Sequence, residues 1–170
     1  MPLMPRTKAP ELAVETVDGD RWHLSEQTPR NFTLIVFYRG LHCPVCTNYL
    51  RDLDRKVADF AERGVDVIAA SGDDGASAAA TKAEWGLKQL AIGYGQSIAS
   101  MRKWGLYIST ATKESEPAEF GEPGMFLIRP DGEVFYVAVN NAPWGRPSFC
   151  HLLGGIDYVL AHNSPPRGVA

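Results

Sequence analysis

Residues 33–38, TLIVFY, form an unbroken run of apolar, β-branched and aromatic side chains with no polar alternation. A strand of that composition is buried on both faces, inside a sheet that is covered on each side. The run stops at Arg39-Gly40, and from Pro44 the period changes. Cys46, Tyr49, Leu50, Leu53, Val57, Phe60 and Ala61 recur at spacings of three and four, which predicts an amphipathic helix ended by Gly64. Residues 65–70, VDVIAA, return to strand composition, and Asp73 or Asp74 caps a helix expected from about Ser77 to Trp85. A short strand follows near residues 90–92, Gly93 and Gly95 mark turns, and Ile98, Met101 and Trp104 support a brief helix closed by Gly105. Strand and helix therefore alternate three times, which implies crossover connections and parallel pairing in an α/β chain.

The flanks read differently. Two short segments around Asp18-Gly19 predict a hairpin within residues 11–24, preceded by an extended arm over residues 1–8. Residues 108–122 are polar and aperiodic, and are read as a long loop, functional or mobile. Residues 125–128 and 134–139 flank Pro130-Asp131-Gly132 and predict an antiparallel hairpin. Phe149, Leu152, Leu153, Ile156, Val159 and Leu160 give a last helix, with Pro147 in its first turn and a frayed tail over residues 163–170. With 170 residues and 45% apolar content the chain makes one domain that buries a core without staples. A net charge of −3, from 17 basic and 20 acidic side chains, supplies no broad cationic surface, which argues against nucleic acid and membrane as partners. There is no secretory-type apolar stretch at the N-terminus and no run approaching the roughly 20 apolar residues of a membrane span, so the expected location is cytoplasmic.

In that reducing compartment three cysteines do not make a disulfide scaffold, and the close pair Cys43 and Cys46 points to redox chemistry or metal binding. The first turn of a helix carries unpaired N–H groups and the positive end of the helix dipole, which stabilise a thiolate over its thiol. Cys43 precedes Pro44 and falls at the N-cap, whereas Cys46 begins the buried stripe; by position, Cys43 attacks and Cys46 resolves. His42 offers a cation beside them. A zinc site with Cys150 and His151 as distant partners is the competing reading, although structural zinc usually takes two tight ligand pairs. Cys150 otherwise reads as a structural thiol on the last helix.

A Phe-Tyr strand running directly into a cysteine-bearing helix resembles the peroxiredoxin-like branch of the alkyl hydroperoxide reductase and thiol-specific antioxidant family, within the thioredoxin superfamily. The likeness extends from about Ala9 to His162, through Ala9-Pro10-Glu11-Leu12, Asp18-Gly19, Leu24-Ser25, FYRGLHCPVC, FLIRPDGEVFYVAVNN and WGRPSF. It implies a thioredoxin-like fold, a mixed central sheet flanked by helices with an N-terminal β-hairpin extension. Peroxiredoxins carry Pro-x-x-x-Thr-x-x-Cys here, so Cys46 takes the peroxidatic place, Cys43 that of the Thr and Arg39 that of the Pro. This assignment reverses the one drawn from helix position, and both stand open. Near Pro123 peroxiredoxins have an active-site Arg and thioredoxins a cis proline, so Pro123 looks more like thioredoxin. Arg146 matches an Arg that supports the peroxiredoxin active site; a solvated Arg near a helix start is the plain alternative.

The activity implied is a thiol-dependent antioxidant oxidoreductase that reduces hydroperoxides through a Cys-x-x-Cys cycle, with Arg39 and Arg146 holding negative charge on sulfur or on the leaving oxygen. General thiol-disulfide reduction is the alternative reaction. A non-catalytic redox sensor or binding module, meeting a partner through residues 108–122 or the Trp85, Trp104 and Trp144 surfaces, is the alternative class. The resemblance implies no cofactor or metal, a peroxide or disulfide substrate, and an external reductant such as a thioredoxin or glutathione system; a homodimer is compatible with it.

Overall fold

The computed structural model describes residues 2–170. In chain order it contains β1 (Ala13–Thr16), β2 (Arg21–His23), β3 (Phe32–Phe37), α1 (Pro44–Glu62), β4 (Val65–Ala70), α2 (Gly75–Glu84), β5 (Ala91–Tyr94), α3 (Ile98–Lys103), β6 (Ile108–Thr110), β7 (Glu119–Gly121), β8 (Gly124–Ile128), β9 (Val134–Val139) and α4 (Phe149–His162). Seven strands form one sheet in the order β2-β1-β5-β4-β3-β8-β9. β3, β4 and β5 are parallel, as the alternation of strand and helix requires; β8 adds antiparallel to β3, and β9 antiparallel to β8. The β1–β2 hairpin extends the sheet by pairing antiparallel to β5.

All six residues of β3 are buried, and its side chains divide between the two faces. Leu34 and Val36 pack with Cys46, Leu50, Leu53 and Phe60 of α1 and with Phe149 and Ile156 of α4. Ile35 and Phe37 pack on the opposite side with Met101, Trp104, Leu106 and Phe126. Burying a large apolar side chain contributes roughly 1.5–3 kcal/mol, so the double burial of this run makes β3 the anchor of the fold. Its C-terminal end is thereby fixed, and the segment that leaves it delivers the two thiols.

Several boundaries differ from the sequence reading. Residues 108–122 are not one loop: β6 and β7 form a separate two-stranded ribbon, pairing Ser109 with Phe120. Glu116 closes its tip by accepting from the backbone N–H groups of Thr112 and Lys113. Strands of three residues are too short for a period to register. α2 starts at Gly75, two residues early, because the Asp74 carboxylate accepts from the Ser77 N–H at 2.8 Å. Pro147 lies outside α4, whose N-cap is Ser148. The last helix ends at Asn163 in the left-handed region (φ 48°), after which the tail has no regular structure but buries Pro166. At the other terminus the arm is held by the Arg6 N–H donating to the Val134 carbonyl at 2.9 Å and by a bridge between Lys8 and Glu133. Among the described residues no helix is long and apolar enough to cross a membrane.

Candidate active site

The loop from β3 to α1 is pinned at both ends. The Tyr38 N–H continues the ladder to the Ala70 carbonyl, and the Leu41 N–H donates to Asp73 Oδ2 at 2.8 Å. Gly40 sits at φ 139°, and a Cβ there would meet the Asp73 carboxylate at 2.5 Å. Only glycine lets the chain pass so close to the acid that holds it. Cys43 then takes extended N-cap geometry and makes no side-chain cap, Pro44 occupies the first turn, and Cys46 follows with its N–H bonded to the Cys43 carbonyl at 3.1 Å. The sulfurs of Cys43 and Cys46 lie 2.6 Å apart, with the residues 2% and 0% exposed.

Arg146 closes over this tip from the segment after β9. Its Nη1 lies 3.4 Å from Cys46 Sγ, its Nη2 donates to the Val45 carbonyl at 3.2 Å, and the guanidinium stacks 4.0 Å from the centre of the Tyr49 ring. Tyr49 in turn donates to the Pro147 carbonyl at 2.6 Å, tying α1 to the Arg146 segment. Arg39 serves the same sulfur with its backbone N–H, while its guanidinium points to Glu122. That pair is bidentate, Nε to Oε2 at 2.8 Å and Nη2 to Oε1 at 2.7 Å, and Ser109 Oγ adds a third donor at 2.6 Å. Glu122 is 1% exposed, and Phe120 packs under the Arg39 guanidinium.

These contacts divide the charge between the sulfurs. The hydrogen bond from Cys43 is the largest influence on Cys46 and, with Arg146 and the Arg39 N–H, overcomes burial to hold its pKa at about 6. Cys43 moves the opposite way, pushed far up by that same hydrogen bond, by burial and by the negative charge on Cys46. Both shifts run in the direction that favours negative charge on Cys46 and a proton on Cys43.

The remaining sequence expectations meet the geometry unevenly. His42 is not a cation beside the pair: burial lowers its pKa, and its ring packs edge-on to Phe120 with centroids 4.8 Å apart. Pro123 does not reproduce a thioredoxin cis proline, since no cis peptide bond occurs among the described residues. It is buried, accepts from the Asn140 N–H at 3.0 Å, and lines a small hollow with Tyr49 and Arg146. Arg146 is half-buried against Cys46 and Tyr49 rather than solvated. Cys150 is exposed rather than a buried structural thiol. No three His, Cys, Asp or Glu side chains converge among the described residues, so Cys150 and His151 are not brought to the pair as a zinc site would need. Trp85 and Trp104 are buried, leaving Trp144, 82% exposed, as the one tryptophan of the three with a free surface. Glu122 and Ser109 were not legible as site residues; the available signal was an acid set between two apolar segments in Gly121-Glu122-Pro123-Gly124.

The model of the AhpC/TSA family matches residues 5–137. No curated protein matches the chain. Among solved structures it is similar to a peroxiredoxin-like protein from Aquifex aeolicus, with 19% identity, TM-score 0.76, and 94% of this chain and 89% of that one covered. The reduced 2-Cys peroxiredoxin of Plasmodium vivax gives 22% identity and TM-score 0.77 over 95% of this chain and 84% of that one. For AhpC of Enterococcus faecalis the values are 18% and 0.74 over 96% and 98%. With more than three quarters of its length matched by the family model, on a thioredoxin-like fold, the chain belongs to the AhpC/TSA family, that of the peroxiredoxin thiol peroxidases.

Proposed function

We propose that the protein reduces hydroperoxides through a local thiol–disulfide cycle in which Cys46 attacks and Cys43 resolves. The observation that carries this reading is the contact of the Cys46 sulfur with the Arg146 guanidinium on one side and Cys43 on the other. The Cys46 thiolate attacks the nearer peroxide oxygen, the O–O bond breaks, and sulfur is oxidised to a sulfenic acid. The departing alkoxide or hydroxide takes the Cys43 proton, and Arg146 offsets its charge. The Cys43 thiolate then attacks Cys46 sulfur, forming the disulfide and expelling hydroxide, which solvent protonates to water. Two external thiol equivalents, from a thioredoxin or glutathione type of system, reduce the disulfide and restore both cysteines.

The disulfide reductase reading takes Cys43 as the first sulfur, whereas the Arg146 guanidinium lies against Cys46. A partner-binding role through the tryptophans loses Trp85 and Trp104 to the core. Three free thiols fit a reducing location such as the cytoplasm. Stopped-flow oxidation of the reduced protein by hydrogen peroxide tests the proposal. Cys43→Ser is expected to accumulate a trappable sulfenic acid on Cys46, and Cys46→Ser to form none. Wild-type oxidation no faster than that of a free thiol, or sulfenic acid on Cys43 instead, would overturn it.

A further inference from the structure

The Arg146 guanidinium is held against Cys46 by something other than an ion pair. It has no carboxylate partner among the salt bridges of the described residues, and its Nε is buried without a hydrogen-bond acceptor. Asp52, three residues beyond Tyr49 and on the same face of α1, is occupied by Lys56 and Arg55 instead. Apart from the sulfur, the polar contact of the guanidinium is the Val45 carbonyl, 3.2 Å from Nη2. Tyr49 supplies the rest, and it meets the Arg146 segment twice. Its ring centre lies 4.0 Å from the guanidinium carbon, which sets the plane of the fork. Its hydroxyl donates to the Pro147 carbonyl at 2.6 Å, which holds the backbone one residue on. Phe149 of α4 backs the ring from the other helix, with centroids 4.4 Å apart.

We propose that Tyr49 is a positioning residue that seats Arg146 on the Cys46 sulfur, its ring orienting the guanidinium and its hydroxyl anchoring the segment that carries it. This rests on the reading of Cys46 as the attacking thiolate with Arg146 as its cation. The contacts are continuous: the Phe149 ring against the Tyr49 ring, the Tyr49 ring against the guanidinium, and Nη1 3.4 Å from Cys46 Sγ. An arginine without this platform has rotamers that carry its charge into water, where a thiolate gains little from it. Burial pushes the Tyr49 phenol well above its ordinary value, so the hydroxyl remains a donor throughout the range in which a thiol titrates. Cys46 and Tyr49 stand one turn apart on α1. The helix that bears the sulfur therefore also bears the seat of its cation, although that cation comes from a distant part of the chain.

The test uses the full chain carrying Cys43→Ser, so that Cys46 is the only thiol of the site, and follows its alkylation by iodoacetamide against pH, with the modified residue read by mass spectrometry. The readout is the pH midpoint rather than the rate, because a loosened tip would admit the reagent faster at every pH. Tyr49→Leu is expected to raise the midpoint by about one pH unit, a tenfold loss of thiolate below it, and Arg146→Met to raise it at least as far. In the Arg146→Met background Tyr49→Leu is expected to add nothing, since the group it acts through has gone. Tyr49→Phe, which keeps the platform and loses the anchor on Pro147, is expected to fall between the parent and Tyr49→Leu. An unmoved midpoint in Tyr49→Leu, or an equal rise with Arg146 already removed, would overturn the proposal. Should Tyr49→Leu not fold, Tyr49→Phe decides in its place by the same two outcomes. The reading underneath fails differently, through an Arg146→Met midpoint no higher than the parent's, and in that case Tyr49 has no cation to seat.

Discussion

Two helices of this protein begin with a cysteine in the first turn, and they are opposite in character. α1 starts behind Cys43, whose side chain caps nothing, and places Cys46 in a buried corner against Arg146 and a second thiol. α4 starts behind Ser148, which accepts from the His151 N–H at 3.4 Å, and leaves Cys150 exposed. The dipole is common to both, since every helix presents unpaired N–H groups and partial positive charge at its start. What separates them is everything added to the dipole: removal of water, a guanidinium without a counter-ion, and a neighbouring S–H that donates. A helix tip prepares a place for an anion, and its neighbours decide whether a thiol becomes one.

The strongest attempt to break this contrast is to exchange the sulfurs one at a time. Cys46→Ser is expected to reduce peroxide consumption to background, and Cys150→Ser to leave it at the wild-type level, measured as multiple-turnover loss of hydrogen peroxide with a dithiol reductant. Next in size is the cation. Arg146→Met removes a charge that favours the Cys46 anion, so the pKa of Cys46 rises and its thiolate population at neutral pH falls about tenfold if the shift is one unit; ultraviolet thiolate absorbance against pH reads this directly. A smaller effect comes from acid alone. Cys46 is held at about 6, below an ordinary thiol, so its anion is complete well above that value and declines as pH falls through it. Alkylation of Cys46 should therefore be half-lost near pH 6; a midpoint near that of a free thiol, about 8.5, would erase the distinction between the two helix tips. The smallest effect falls on α4. Ser148→Ala deletes a working cap and is expected to cost about 1 kcal/mol of stability by urea denaturation, with peroxide consumption unaltered.

Where the sequence carried a strong physical signal, the structure follows it. The residue run at 33–38 could only be buried on both faces, and the stripe from Cys46 to Phe60 could only be one face of a helix, so the central strands and α1 were legible to within a residue or two. The β6–β7 ribbon was not, because its strands are held by six residues and a side-chain turn rather than by an apolar face. The site divides along the same line. That Cys43 and Cys46 lie together at a helix start was readable from spacing and Pro44. Which of them ionises was not, because it depends on Arg146, a hundred positions away in sequence, and on a backbone N–H whose direction no composition reveals. Reasoning from helix position alone favoured Cys43, and the family pattern favoured Cys46; the function proposed above takes the second, on the contact of Arg146 with Cys46. His42 misled for a related reason, since sequence adjacency to a thiol says nothing of the Phe120 ring that buries it.

Because both sulfurs lie in one turn of one chain, 2.6 Å apart, joining them is a first-order event. Dilution that would separate subunits would leave its rate constant unchanged, so on the cycle proposed above a single copy of the chain carries the complete two-electron unit.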